Sequence, residues 1–153
     1  MSQEFAVRRL SRSDLASFRA MNALFSEAFE DPATYAAAPP SDHYASVQLA
    51  RSDTNLLVAE AGEDVIGALA AYVLPKFEQA RSEVYIYDLA VAYAWRRNGV
   101  ATALIDETRR IAREIGSWVI YVQADTLPED APARALYGKL GVREEVLHFD
   151  IAP

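Results

Sequence analysis

Cysteine is absent from the sequence, which excludes disulfides, thiolate nucleophiles and cysteine-held metals and fits a reducing compartment. No apolar run approaches the roughly 20 residues needed to cross a bilayer, and the first residues, MSQEFAVRRL, lack the apolar core of a secretory leader. A soluble, cytoplasmic protein without membrane partners is expected. Familiar phosphate and nucleophile motifs are missing too: Gly62 and Gly67 have P-loop spacing, but Ala68 stands where lysine is required, and neither G-x-G-x-x-G nor G-x-S-x-G occurs. The two histidines, His43 and His148, are isolated in sequence, so no metal site is expected. Positive charge is short: 15 Lys and Arg against 22 Asp and Glu leave a net charge of −7. That argues against a nucleic-acid partner, whose phosphates need a basic surface, and permits a cationic one.

The 153 residues, 52% of them hydrophobic, suffice for a single compact domain over 1–153 with a real core. A strand is predicted at 5–10, then a helix over LASFRAMNALFSEAF with Ser11 or Ser13 as cap. DPATYAAAPPSDHY, with three prolines, reads as a loop, followed by a shorter helix capped by Ser41 or Asp42. TNLLVAEAGEDVIGALAAYVLP reads as a hairpin turning at Gly62, Glu63 and Asp64, and EVYIYDLAV as a central strand. An amphipathic helix runs from Val100 to Gly116; SWVIYVQAD is another strand, ARALYGKLG a short helix and REEVLHFDI a final strand. This order predicts an α+β or α/β layer structure around a mixed sheet, with a right-handed βαβ unit over 83–125.

The junction before the long helix carries Arg96, Arg97, Asn98, Gly99, Val100 and Ala101, an R-x-x-G-x-A pattern without an Asp or Ser cap. A helix N-terminus presents unpaired N–H groups and a partial positive charge, Gly99 removes a Cβ from the approach, and the arginines add charge. A pyrophosphate would fit. The plainer reading is a solvated basic loop before an ordinary helix.

Taken with the preceding LAV and the later ALYGKLGV, this pattern resembles the GNAT superfamily of N-acetyltransferases, which bind acetyl-coenzyme A. The resemblance implies a central, mixed, mostly antiparallel twisted sheet with a splayed parallel strand pair and helices on both faces. It implies that Leu89, Ala90 and Val91 hold the pantetheine arm, and that Arg96, Arg97, Asn98, Gly99, Val100, Ala101 and Thr102 receive the pyrophosphate. Tyr137 matches the tyrosine near the thioester sulfur that protonates the departing thiolate; without the family it reads as a helix residue packed on a sheet. Many members carry an Asn after the strand ending here at Asp125, and TLPEDAPARALY has none. YIYDLAV, RRNGVATALI, VIYVQAD and LYGKLGVREEVLHFDI are more specifically similar to the small aminoglycoside 3-N-acetyltransferases that confer gentamicin resistance. A homodimer is expected.

Acetylating an ammonium group requires its deprotonation, so carboxylates are sought both to recruit the cation and to take the proton. Alternation from Glu83 puts Val84, Ile86 and Asp88 on one face, and a carboxylate ending an apolar row must have a partner or open into a cleft. Asp88 is the candidate base, or the anchor of a water chain, with Glu83, Asp125 and Asp150 as further substrate-binding residues. Tyr85, Tyr87 and Tyr121 either line a sugar-binding groove or fill core. An acetyltransferase for another small amine and a noncatalytic acyl-coenzyme A sensor are the alternatives.

Overall fold

A computed structural model describes residues 4–153; residues 1–3 lie outside the described residues. The elements are β1 (Ala6–Arg9), α1 (Leu15–Ala28), α2 (Pro32–Tyr35), α3 (Asp42–Ala50), β2 (Thr54–Ala61), β3 (Asp64–Pro75), β4 (Ser82–Val91), α4 (Val100–Glu114), β5 (Ser117–Val122) and α5 (Ala131–Leu140). Backbone contacts divide the chain into two compact units, Met1–Val122 and Gln123–Pro153.

The first unit holds a five-stranded sheet in the order β1-β2-β3-β4-β5. Every pairing is antiparallel except β4 with β5, which is parallel, with α4 as the crossover between them. The β2–β3 hairpin closes on Gly62 and Glu63, where Gly62 has φ 62°, the left-handed geometry that tight hairpin turns require.

Strand alternation gives the sheet two apolar faces. On one, Phe18, Met21, Leu24 and Phe25 of α1 and Ala45 and Leu49 of α3 pack with Leu56, Val58, Ala68, Ala70 and Ala90. On the other, α4 buries Val100, Leu104, Ile105, Thr108, Ile111 and Ala112. The buried Thr108 hydroxyl donates to the Leu104 carbonyl at 2.9 Å, so it costs little there. The outer side of α4 carries Arg109–Asp106 and Arg110–Glu107 ion pairs at i,i+3.

Four sequence expectations are corrected. The α1 cap is Asp14, not a serine: its carboxylate accepts from the Ser11 amide at 2.7 Å and makes no side-chain bond into the helix. The proline-rich loop contains α2, in which Asp31 caps the Thr34 amide at 3.1 Å and Pro32 occupies the first turn. The strand expected to reach Asp125 stops at Val122, because its ladder with β4 ends at the Ile86–Val122 pair. REEVLHFDI forms no strand; residues 141–153 are exposed, and a strand exists only where another strand pairs with it.

The seat of α4 depends on Gly67. A Cβ there would lie 2.6 Å from Val100 Cγ1, on a stem too short to swing away. Gly67→Ala should therefore lower stability by about 1–3 kcal/mol through overpacking, visible as a fall in Tm of several degrees by calorimetry. An unchanged Tm would show that α4 does not depend on this contact.

Candidate active site

The central feature lies in the β3–β4 ladder. Ala71 pairs with Ile86 and Ala70 with Asp88, so Tyr87 is an extra residue, a β-bulge. Paired residues share a face, and Tyr72 pairs with Tyr85. Asp88 therefore stands with Tyr85, Tyr72 and Glu83, not with Val84 and Ile86 as simple alternation predicts. The physical reason is clear in the burial: Val84 and Ile86 are 1% and 2% exposed, and a carboxylate continuing that row would enter the core beneath α4 unpaired. The bulge turns it to the half-open face instead.

There the Tyr35 hydroxyl donates to Asp88 Oδ1 at 2.7 Å. Tyr35 ends α2, and its ring is held by Phe25 and Phe29, with centroids 5.6 and 5.7 Å away. Burial raises the Asp88 carboxyl above the usual carboxylate range, opposed by the Tyr35 hydrogen bond. The same burial, reinforced by the Asp88 charge, pushes the Tyr35 phenol up, which keeps it protonated and donating. A partly desolvated carboxylate aimed at open surface is suited both to hold a cation and to accept its proton.

Beyond Asp88, the strand edge that faced β5 becomes open. Asp88–Val91 pair only with β3, since the parallel ladder ends at Ile86. Among the described residues, Leu89, Ala90 and Val91 thus present one backbone edge without a strand partner, and the Val91 carbonyl accepts from Arg96 Nε at 3.3 Å.

The turn that follows leads into the α4 N-terminus. Gly99, at φ 80°, is the N-cap and has no side chain with which to cap. The first helical bond runs from the Ala103 amide to the Gly99 carbonyl at 3.0 Å, so the Val100, Ala101 and Thr102 amides have no acceptor within the helix. Arg97 has φ 62°, a left-handed conformation that side chains rarely adopt. Asn98 Nδ2 ties the turn by donating to the Arg96 carbonyl at 2.9 Å. Arg96, Arg97, Asn98 and Gly99 are exposed. Three free amides at a positive dipole end, beside two guanidinium groups, can hold a doubly charged phosphate ester.

Asp125, Tyr137 and Asp150 belong to the second unit. Arg134 donates to the Asp125 and Leu127 carbonyls, joining that segment to α5. Tyr137 is half-buried in α5, and burial, followed by the Asp130 charge, raises its phenol pKa. Asp150, expected to end a strand, is instead exposed and pairs with His148 Nε2 at 2.9 Å. Among the described residues, no group of three His, Cys, Asp or Glu side chains is placed to hold a metal ion.

Two residues escaped sequence reasoning. Tyr35 lies in a segment whose prolines read as loop, although Asp31 followed by Pro32 is a helix-start signal. Tyr72 sits in a hairpin strand where an aromatic residue reads as core; it is 40% exposed.

The sequence matches the model of the acetyltransferase (GNAT) family over residues 18–142. The structure superposes with a TM-score of 0.96 on an aminoglycoside acetyltransferase, HMB0005, from an uncultured soil metagenomic sample, at 50% identity over 98% of this chain and 99% of that one. A second aminoglycoside acetyltransferase from such a sample, meta-AAC0020 in complex with sisomicin, gives a TM-score of 0.87 at 30% identity, covering 97% of this chain and 96% of that one. A curated relative, L-2,4-diaminobutyric acid acetyltransferase of Shouchella clausii, is 31% identical over 88 residues, 58% of this chain and 47% of that protein. The match thus spans about half the length of that relative. The open strand edge, the uncapped α4 turn and the family match over most of the chain lead to one conclusion: this chain belongs to the acetyltransferase (GNAT) family.

Proposed function

We propose that the protein is a single-domain, acetyl-coenzyme A-dependent N-acetyltransferase whose acceptor is an aminoglycoside, acetylated in a ternary complex. The observation that carries this reading is the bulge-turned Asp88, held by Tyr35 one residue before the open edge of Leu89–Val91. An aminoglycoside acetyltransferase at 50% identity over nearly the whole chain supports the acceptor class. The 3-amino position, and with it gentamicin, rests on the resemblance of REEVLHFDI and its neighbouring motifs. Resistance to such an antibiotic in a cytoplasm that holds acetyl-coenzyme A would be the biological outcome.

In this reading the Leu89, Ala90 and Val91 backbone edge takes the amides of the pantetheine arm. The α4 amides, with Arg96, Arg97 and Asn98, take the pyrophosphate. Asp88 attracts the acceptor ammonium and accepts its proton, directly or through water. The freed nitrogen lone pair attacks the thioester carbonyl carbon; the C–N bond forms, and the C–S bond breaks with its electron pair on sulfur. Tyr137, assigned by the family resemblance, gives its phenolic proton to that thiolate, and the second proton, which the nitrogen sheds on becoming an amide, returns to the Tyr137 phenolate through water. Glu83, Asp125 and Asp150 offer further carboxylates to a polycation.

The relationship to diaminobutyric acid acetyltransferase favours a second reading, a shorter diamine as acceptor. Thiol release from acetyl-coenzyme A with gentamicin, sisomicin, kanamycin, spermidine and 2,4-diaminobutyrate separates the two, and NMR of the product assigns the nitrogen. Turnover confined to diaminobutyrate would sink the antibiotic reading.

Asp88→Asn should cut turnover about 10²–10⁴-fold, the usual worth of a positioned acid or base. Its effect on stability should have the opposite sense. Burial raises the folded pKa of Asp88, so the stabilisation associated with its protonated form is lost as pH rises through that value. At pH 7 the neutral asparagine variant should melt at or above the wild-type temperature; a clearly lower Tm would contradict this account of the carboxylate. The same shift places the acidic limb of the wild-type rate profile above the usual carboxylate range, and Tyr35→Phe, which removes the opposing hydrogen bond, should move that limb further up.

Arg97→Gly removes the guanidinium while suiting the φ of 62°. It should raise KM for acetyl-coenzyme A several-fold without loss of Tm; an unchanged KM would remove Arg97 from the pyrophosphate site. A homodimer accords with the exposed apolar residues Val146, Leu147, Phe149 and Ile151. Light scattering should return twice the 16.9 kDa chain mass, and a monomer at assay concentration would refute it.

A further inference from the structure

We propose that Tyr72, Tyr85, Tyr87 and Tyr121 form an aromatic platform that receives an aminosugar of more than one ring, with the Asp88 and Glu83 carboxylates at its two ends. The inference rests on the acceptor class proposed above and deepens it by naming the surface that reads the acceptor's length.

Register builds the platform. Tyr72 of β3 pairs with Tyr85 of β4, and Tyr85 pairs with Tyr121 of β5, so three adjacent strands carry a tyrosine in one cross-strand row. The Tyr85 and Tyr121 rings stack at 4.6 Å and 8°. The bulged Tyr87 stands edge-on to both Tyr72, at 6.0 Å and 74°, and Tyr85, at 5.5 Å and 71°. Cross-strand aromatic pairs stabilise sheets wherever they occur, so pairing alone does not imply a ligand.

Exposure argues further. On this face of the sheet, the row beneath α1 is aliphatic and closed, with Ala68 fully buried and Ala70 and Ala90 only 6% and 7% exposed. Past it the same face turns to tyrosine, and Tyr72 and Tyr87 remain 40% and 60% exposed. Packing requires no large open rings here, and a sheet meant only to be solvated would alternate to polar side chains.

The charge is of one sign. After burial, the Asp88 charge raises the Tyr72 phenol and the Glu83 charge the Tyr121 phenol; at Tyr85, burial and the neighbouring Tyr87 and Tyr121 come before Asp88. π-faces edged by carboxylates attract ammonium groups, and the flat C–H faces of sugar rings lie well on aromatic ones. Glu83 and Asp88 share a face with Tyr87 as an extra residue between them, so at about 3.3 Å per strand residue they are roughly 13 Å apart. A single ring or a short diamine cannot meet both carboxylates, whereas a chain of linked aminosugar rings can.

Calorimetric titration with gentamicin and with 2-deoxystreptamine, a one-ring diamine, tests this. Tyr121→Ala and Tyr87→Ala should each weaken gentamicin about tenfold and 2-deoxystreptamine no more than twofold, with acetyl-coenzyme A affinity held. The Phe variants, which keep the π-face, should stay within about twofold of wild type for both. Equal weakening of the two ligands, or none, would overturn the platform while leaving the acceptor class standing. Wild-type protein that binds neither ligand would overturn both. Gentamicin bound through the tyrosines but never acetylated would remove the proposed reaction and keep the platform.

Discussion

The extra residue at Tyr87 decides on which side of the sheet Asp88 stands. A strand has a period of two, so inserting one residue moves every later side chain to the opposite face. Val84 and Ile86 before the bulge pack in the core, whereas Asp88 and Ala90 after it join the face of Tyr72 and α1. Had β4 continued regularly, Asp88 would enter an apolar layer without a partner, and Ala90 would leave the cluster it fills. The half-open placement of this carboxylate and a complete core are thus both consequences of one irregularity.

The same strand also sets up the turn into α4. Because β4 outruns its parallel partner, its last residues have an open edge just before the chain turns into α4. The helix is then seated at Gly67, which brings Val100 close to the sheet and fixes where the three free amides point. Left-handed backbone at both Arg97 and Gly99 makes the turn tight enough to leave those amides uncovered. The glycine accepts that geometry freely; the arginine does so at a cost of about 1–3 kcal/mol, which the surrounding structure must offset.

Tyr35 connects this site to a segment far away in sequence. Its ring is clamped by Phe25 and Phe29 of the α1 end, and its hydroxyl reaches Asp88. The short helix that carries it is held by Asp31 and Pro32 rather than by burial, since none of its residues is fully buried. A lightly held element supplying one partner of a half-desolvated carboxylate is an arrangement in which stability and activity pull in opposite directions.

Much of this was legible in the chain. Hydrophobic periodicity located α1 and α4, because they bury a face whose spacing is written locally; the Ser41 or Asp42 cap located α3 and the Gly62–Asp64 turn the β2–β3 hairpin, and R-x-x-G-x-A marked the α4 turn because an uncapped helix start is itself a local signal. Composition alone determined the absence of thiol chemistry and the acidic balance. What only tertiary structure decided was register. Whether Asp88 faces α4 or the tyrosines, whether Tyr72, Tyr85 and Tyr121 align, where β5 stops and whether residues 143–151 pair at all depend on which backbone groups meet across strands. Those hydrogen bonds join residues distant in sequence, and a shift of one residue, invisible to local propensity, changes every side chain's neighbours.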